Sequence, residues 1–427
     1  MNNQDAVYQA CMEILRRELI PATGCTEPIA LAYCAAKARS VLGCLPDRVD
    51  IEVSGNIIKN VKSVTVPNTG GLKGIPAAAA AGIVAGREEA ALQVLSQVTE
   101  EQEYAIAAFL SAVPIRVTPM QNCDLLDIRV TVGKGENSAS VRINHAHDHI
   151  DSVILNGREL ASDHQAAVRD EAEALYDLLT VQNIFDFANA VDPEEVRPIL
   201  DRQIECNTAI AREGMENRWG AGVGSILMDT GDGSARLRAM AMAAAGSDAR
   251  MSGCEMPVVI NSGSGNQGLT VSLPVIEYYR DSGLPQEMLY RALVISNLCS
   301  IHAKHAIGKL SAYCGAVTAG SAAAAGVAYL KTRSFDAIAH TIVNSLAITS
   351  GIICDGAKPS CAGKIASAIS AGLLGMEMYE HGSQFYGGDG IIAKGIENTL
   401  RNVGRLGAEG MRGTDETILD IMTRESR

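Results

Sequence analysis

The sequence predicts an α+β fold: a mixed α/β N-terminal part, residues 1–180, followed by an all-helical C-terminal part, residues 181–427. Two observations carry this. Strand-like segments rich in Val and Ile lie before about residue 155, and strand signals nearly vanish after residue 181. Hydrophobic residues make up 47% of the chain but aromatics only 4%, so the core must be built from Ala, Val, Ile, Leu and Met. Long alanine runs in such a composition favour close-packed helices. At 427 residues the chain is long enough for two domains of ordinary size.

Residues 5–19 place apolar side chains at helical spacing and stop at Pro21, and residues 28–43 form a second helix. Whether these two helices pack with the helical part is left open. Between them "PATGCTEP" is a tight connection bounded by Pro and Gly. Residues 48–66, "VDIEVSGNIIKNVKSVTV" with its preceding Arg, read as a strand region, either a hairpin or two strands flanking a loop. "PNTGGLKGIPAAAAAGIVAG" then leads a Gly-rich loop into an Ala-rich helix, with Pro76 in the first turn. Short strands are expected at 113–118, 127–132, 139–144 and 151–155, and a polar, acidic helix from about 163 to 180. Helices are expected at 193–213, 234–246, 285–306, 309–330, 335–350, 360–378 and 390–405, with no internal repeat.

The formal charge of −13 argues against a nucleic-acid surface, which would need clustered Lys and Arg. A small-molecule role fits better. No stretch reads as a signal peptide or a membrane span, so a cytoplasmic protein is expected. In that reducing setting the eleven cysteines are packed thiols, reactive thiols or metal ligands rather than a disulfide framework.

Cys314 lies in "KLSAYCGAVTAG", and Cys354 and Cys361 lie in "GIICDGAKPSC", where Gly356 and Pro359 force a loop between helices. Spacings of 40 and 7 residues are compatible with one metal centre and also with three packed thiols, and match no common zinc or ferredoxin pattern. Cys25, beside Glu27 on its own Pro-flanked turn, is the fourth loop thiol. In "NSGSGNQG", residues 261–268, three glycines expose consecutive N–H groups at a helix start, a nest suited to a carboxylate or phosphate, or a plain polar loop. "VSGNIIKN" and "VPNTGG", with Lys59 and Lys73 nearby, could complete an anion pocket or be hairpin turns. "HAHDHI", residues 145–150, would align three imidazoles on one strand face, as a metal site or an exposed edge. His302 and His305, three apart on a helix, read as lining a partly polar packing surface.

Taken together and in order, "GCTEP", "VTVPNTG", "SDARMSG", "NSGSGNQG", "LSAYCG" and "ICDGAKPSC" resemble the L-cysteine desulfidase family over nearly the whole chain. The helical half is more distantly similar to the α-chain of iron-sulfur L-serine dehydratases. Both families eliminate a β-substituent without pyridoxal phosphate, using a [4Fe-4S] cluster. The resemblance implies a lyase that converts L-cysteine to pyruvate, ammonia and hydrogen sulfide, the open iron binding the substrate thiolate. Cys314, Cys354 and Cys361 stand where the serine dehydratases place three cluster ligands. Cys25 matches a further cysteine that the desulfidases need, as a ligand or as a thiol in the reaction. No cysteine follows Cys361, a departure from serine dehydratases that carry one near the C-terminus. On this reading Asn261, Ser262, Gly263, Ser264, Gly265 and Asn266 hold the substrate carboxylate, with Asn68, Thr69 and Gly70 opposite. The alternatives are the same chemistry on L-serine or another β-substituted amino acid, and a non-catalytic anion binder. The partner expected is a small amino acid, with no nucleic acid or membrane; Ala-rich helices leave room for a homodimer.

Overall fold

A computed structural model describes residues 1–162, 173–308 and 310–424. The α+β class holds. The expected helix at 163–180 lies largely outside the described residues, although 173–177 are helical.

A six-stranded sheet runs in the order Ile115–Pro119, Arg48–Val53, Asp127–Lys134, Asn137–Asn144, Ile150–Leu155, Arg158–Ser162. Only its first pair is parallel. Alternation decides its orientation: Val49, Ile51, Val53, Ile128, Val130, Val132, Val141 and Ile143 are all buried on one face. The helices Thr26–Leu42 and Gly74–Ala85 share that core through Ile29, Leu31, Ala78 and Ile83. Each buried Val or Ile side chain contributes about 1.5–3 kcal/mol, so the sheet face and its two helices form a substantial core.

The second core is helical. The helix Gly315–Thr332 is almost wholly buried, packed among Gly265–Arg280, Gln286–Ile307, Phe335–Thr349 and Cys361–Glu380. The first helix, Ala6–Glu18, belongs to this core, whereas the second belongs to the sheet. A two-stranded ribbon joins the halves: Pro21–Thr23 pairs antiparallel with Pro257–Val259. It brings the turn before Cys25 alongside the chain that leads into "NSGSGNQG".

The segment 48–66 is one strand followed by a helix, Gly55–Val61, rather than two strands. Its β-branched residues imitate a strand, but Ser54 caps the helix by accepting from the Ile57 N–H, and Ile57 and Val61, four apart, face the core. The helix expected at 309–330 begins only at Gly315, after its thiol. Helices Glu100–Ala112, Val181–Ala190, Val223–Thr230 and Arg412–Arg424, and the strand Arg158–Ser162, were not foreseen. Among the described residues no helix is long and apolar enough to cross a membrane.

Candidate active site

The four loop thiols meet. Cys25, Cys314, Cys354 and Cys361 line one cavity of about 120 Å³ between the two cores. Three of them sit at helix starts: Cys25 is the N-cap of Thr26–Leu42, Cys314 the N-cap of Gly315–Thr332, and Cys361 opens Cys361–Glu380. The positive end of a helix dipole favours a thiolate over a thiol, but burial outweighs it at Cys25 and Cys361, and the hydrogen bond to Cys354 outweighs it at Cys314. Cys354 is fixed beside Cys314 by backbone bonds: the Cys314 N–H donates to Ile352 O at 3.2 Å and the Cys354 N–H to Ala312 O at 2.6 Å.

Two glycines permit the arrangement. Gly356 has φ +98°, and a Cβ there would overlap the Lys59 carbonyl, so only glycine lets the 354–361 loop close on the Gly55–Val61 helix. Gly24, at φ +71°, leaves space filled by the Pro67 ring. The "VPNTGG" loop therefore supports the Cys25 turn from behind and forms no wall. Asn68, Thr69 and Gly70 are not among the residues lining the cavity; Asn68 donates to Leu95 O at 2.6 Å and Thr69 to Val66 O at 2.7 Å.

The "NSGSGNQG" loop divides. Ser264 and Asn266 line the cavity with Gln267, whereas Asn261 turns into the protein and donates to Asn297 Oδ1 at 3.0 Å. The Ser262 hydroxyl donates to Asn261 Oδ1, and Gly263 O accepts from the Thr26 hydroxyl at 3.0 Å, tying this loop to the Cys25 turn. Gly265 lies against Arg250.

Electrostatics set the thiols apart. The Cys354 thiol is pulled down to about 6, first because Cys314 donates a hydrogen bond to it, then because Lys59 and Lys304 lie near, against an opposing effect of burial. Cys314 keeps the shared proton and is pushed well up. Burial raises Cys361, and burial with the Glu27 charge raises Cys25. Lys304, wholly enclosed, is pushed down to about 8 by burial. Cys25 donates to Glu27 Oε2 at 3.2 Å, and Asn60 donates to Glu27 Oε1 at 3.1 Å. The buried Lys59 pairs with Asp415 of the helix Arg412–Arg424.

The cavity chemistry fits an iron-sulfur group. It offers thiol donors on separate elements, helix dipoles and buried cations that stabilise thiolates, and buried polar atoms without partners at Arg250 Nε, Gln267 Oε1 and Tyr313 OH. Among the described residues no three His, Cys, Asp or Glu side chains are grouped to hold a single metal ion. A cluster that takes one thiolate per iron does not require that grouping.

The histidine motif is not a strand face. Residues 145–149 turn between two strands, with His145 at φ +64° and 3.3 Å from Asp124, and His149 Nδ1 3.2 Å from Asn144 O. His302 meets Glu397 at 2.7 Å and His305 stacks on Tyr176, the polar packing expected of them. Sequence reasoning gave no role to Arg250, Lys304 or Tyr313, whereas Gln267 and Asn60 stood in the two loops read as anion-binding candidates. No local signal marks Arg250 or Lys304: each lies in a helix that carries other charged residues, and it is the packing that buries it.

A helical core that presents thiols from helix starts to a cation-lined cavity defines a class, and comparison supplies its family. The chain belongs to the serine dehydratase alpha chain family, whose model matches residues 89–420. Over its whole length it is similar to the UPF0597 protein of Desulfitobacterium hafniense, 53% identical over 100% of this chain and 99% of that one. The UPF0597 protein of Lachnoclostridium phytofermentans is 49% identical over 97% and 100% of the two chains, and that of Treponema denticola 43% over 100% of both.

Proposed function

We propose that the protein is a cytoplasmic iron-sulfur lyase that removes sulfide from L-cysteine. Cys314, Cys354 and Cys361 are the residues that would hold a [4Fe-4S] cluster, and Cys25 is the thiol that acts on the substrate. The observation that carries this reading is the convergence of the four loop thiols on one cavity. When bound, the cluster supplies a Lewis-acidic iron for the departing group.

The chain's own residues supply the rest. Glu27, held by Asn60, accepts the Cys25 proton, and the thiolate so formed takes the substrate's α-proton. The electron pair of that C–H bond forms the Cα–Cβ double bond as the Cβ–S bond breaks, and sulfide leaves with its electrons. The aminoacrylate tautomerises to an imine, and water hydrolyses it to pyruvate and ammonia. The Cys25–Glu27 hydrogen bond favours a separate role for Cys25, because the Cys314 and Cys354 thiols are engaged with each other.

The family's description favours one second reading, the same elimination on L-serine. Anaerobic reconstitution with iron and sulfide, followed by visible spectroscopy and parallel assays of sulfide from L-cysteine and pyruvate from L-serine, separates the two. Faster sulfide release supports the desulfidase, faster pyruvate release from serine supports the dehydratase, and a colourless protein without turnover refutes both.

A further inference from the structure

Arg250 is a buried cation on the cavity lining, without a counterion among the described residues. Its residue is 3% exposed, and it lines the cavity at the end of the helix Ala235–Met251. Nη1 donates to Asn266 Oδ1 at 3.1 Å, while Nε has no partner. Among the described residues no carboxylate pairs with it, although the less buried Arg142 and Arg238 each have one, Asp127 and Glu277. A Cβ at residue 265 would overlap its guanidinium, so Gly265 keeps the space that the side chain occupies.

A buried guanidinium with an unused N–H is costly unless something entering the cavity satisfies it. The same cavity holds an unused acceptor, Gln267 Oε1, and the Glu27 carboxylate lines it too. An unused donor and unused acceptors on one lining suit a group that is anionic at one end and cationic at the other. We infer that Arg250 binds the α-carboxylate of a free amino acid, with the α-ammonium directed to Gln267 and Glu27, and thereby restricts the site to substrates whose carboxylate is unmodified. Guanidinium matches carboxylate with two parallel N–H bonds, which a lysine cannot reproduce. The inference rests on the reading of this cavity as an amino-acid site, and it adds a specificity residue that the loop "NSGSGNQG" alone does not provide.

L-Alanine carries the same head group and has no leaving group, so its binding is independent of turnover. Calorimetric titration of the reconstituted protein with L-alanine and with L-alaninamide tests the assignment, together with Arg250→Gln and Arg250→Lys. The wild type is expected to bind alanine about 10- to 100-fold more tightly than alaninamide, the range for a lost charge-assisted contact. Arg250→Gln should bind both equally weakly. Arg250→Lys, which keeps the charge and secures the test if the glutamine variant does not fold, should retain part of the preference. A wild type that binds neither ligand, or both alike, overturns the assignment. So does an Arg250→Gln or Arg250→Lys protein that keeps the full preference; if it also fails to load iron, the guanidinium serves the thiolates instead. Failure to turn over cysteine with the alanine preference intact would instead count against the lyase.

Discussion

Removal of the Asp415 carboxylate should release the C-terminal helix and leave Lys59 stranded. Lys59 is 2% exposed at its side chain and Asp415 20%, so the ammonium is inside the protein while its partner is near the surface. Deleting one member of a buried ion pair costs about 3–5 kcal/mol, because the remaining charge has lost both water and partner. The partial exposure of Asp415 puts Asp415→Ala at the low end, about 3 kcal/mol, which is about a 100-fold change in an opening equilibrium. The helix Arg412–Arg424 is also held to this face by Lys62, which donates to Met422 O, and by Leu419 against Gly55. The loss should therefore appear locally, as about 100-fold faster amide exchange in residues 412–424 with the rest of the molecule unchanged. Lys59→Met removes the charge at similar volume and should loosen the helix less, and the double variant should resemble Lys59→Met rather than the sum. Hydrogen exchange read by mass spectrometry decides. Unchanged exchange in Asp415→Ala, or a larger effect from Lys59→Met, would refute the reasoning.

Cys314→Ala, Cys354→Ala and Cys361→Ala should each abolish the visible absorption of the reconstituted protein and its sulfide release. Cys25→Ala should keep the absorption and lose about 10²- to 10⁴-fold in kcat, the usual worth of a positioned acid or base; loss of colour would make Cys25 a ligand instead. In the iron-free protein one thiol should alkylate with iodoacetamide along a titration midpoint near 6, the value to which Cys354 is held, since the reactive thiolate is present above that pH and protonated below it. Lys59→Met should move this midpoint upward because one of the cations that lowers it is gone.

Much of the fold was legible because its signals are local. Alternation marked the strands Asp127–Lys134 and Asn137–Asn144, and alanine-rich periodicity marked the central helices. The error at 48–66 arose where β-branched residues served a helix, so that Ser54 and the four-residue spacing of Ile57 and Val61 were outweighed by composition. The helix Glu100–Ala112 had a readable start, the Thr99–Gln102 capping box, that was passed over. The loop thiols were legible as a set because Gly and Pro punctuate their segments. Arg250 and Lys304 were not, since a charge in a helix is ordinarily solvated and only packing shows that these two face inward. The "VPNTGG" loop misled for the opposite reason: its polar residues satisfy their own turn, a use that composition cannot separate from ligand binding.

The charges around the cavity argue for assembly in a fixed order. Lys59, Lys304 and Arg250 are buried on its lining, and Glu27 is the carboxylate that lines it with them. Lys59 is neutralised by Asp415, outside the cavity, and Arg250 has no ion-pair partner among the described residues. Of the four thiols only Cys354 is drawn toward the thiolate, first by the hydrogen bond from Cys314 and then by Lys59 and Lys304; that shared proton holds Cys314 up, and burial holds up Cys361 and Cys25. Ligation requires thiolates, so metal entry must expel the remaining protons, and the charge of the entering metal must offset the repulsion that each thiolate adds for the next. Loading should then be faster at higher pH, beginning at Cys354. A carboxylate ligand would complete the charge balance only afterward, at the Arg250 side. Iron uptake followed by absorbance across pH 6–9 tests this sequence: uptake should accelerate with pH in the wild type, and uptake independent of pH would refute it.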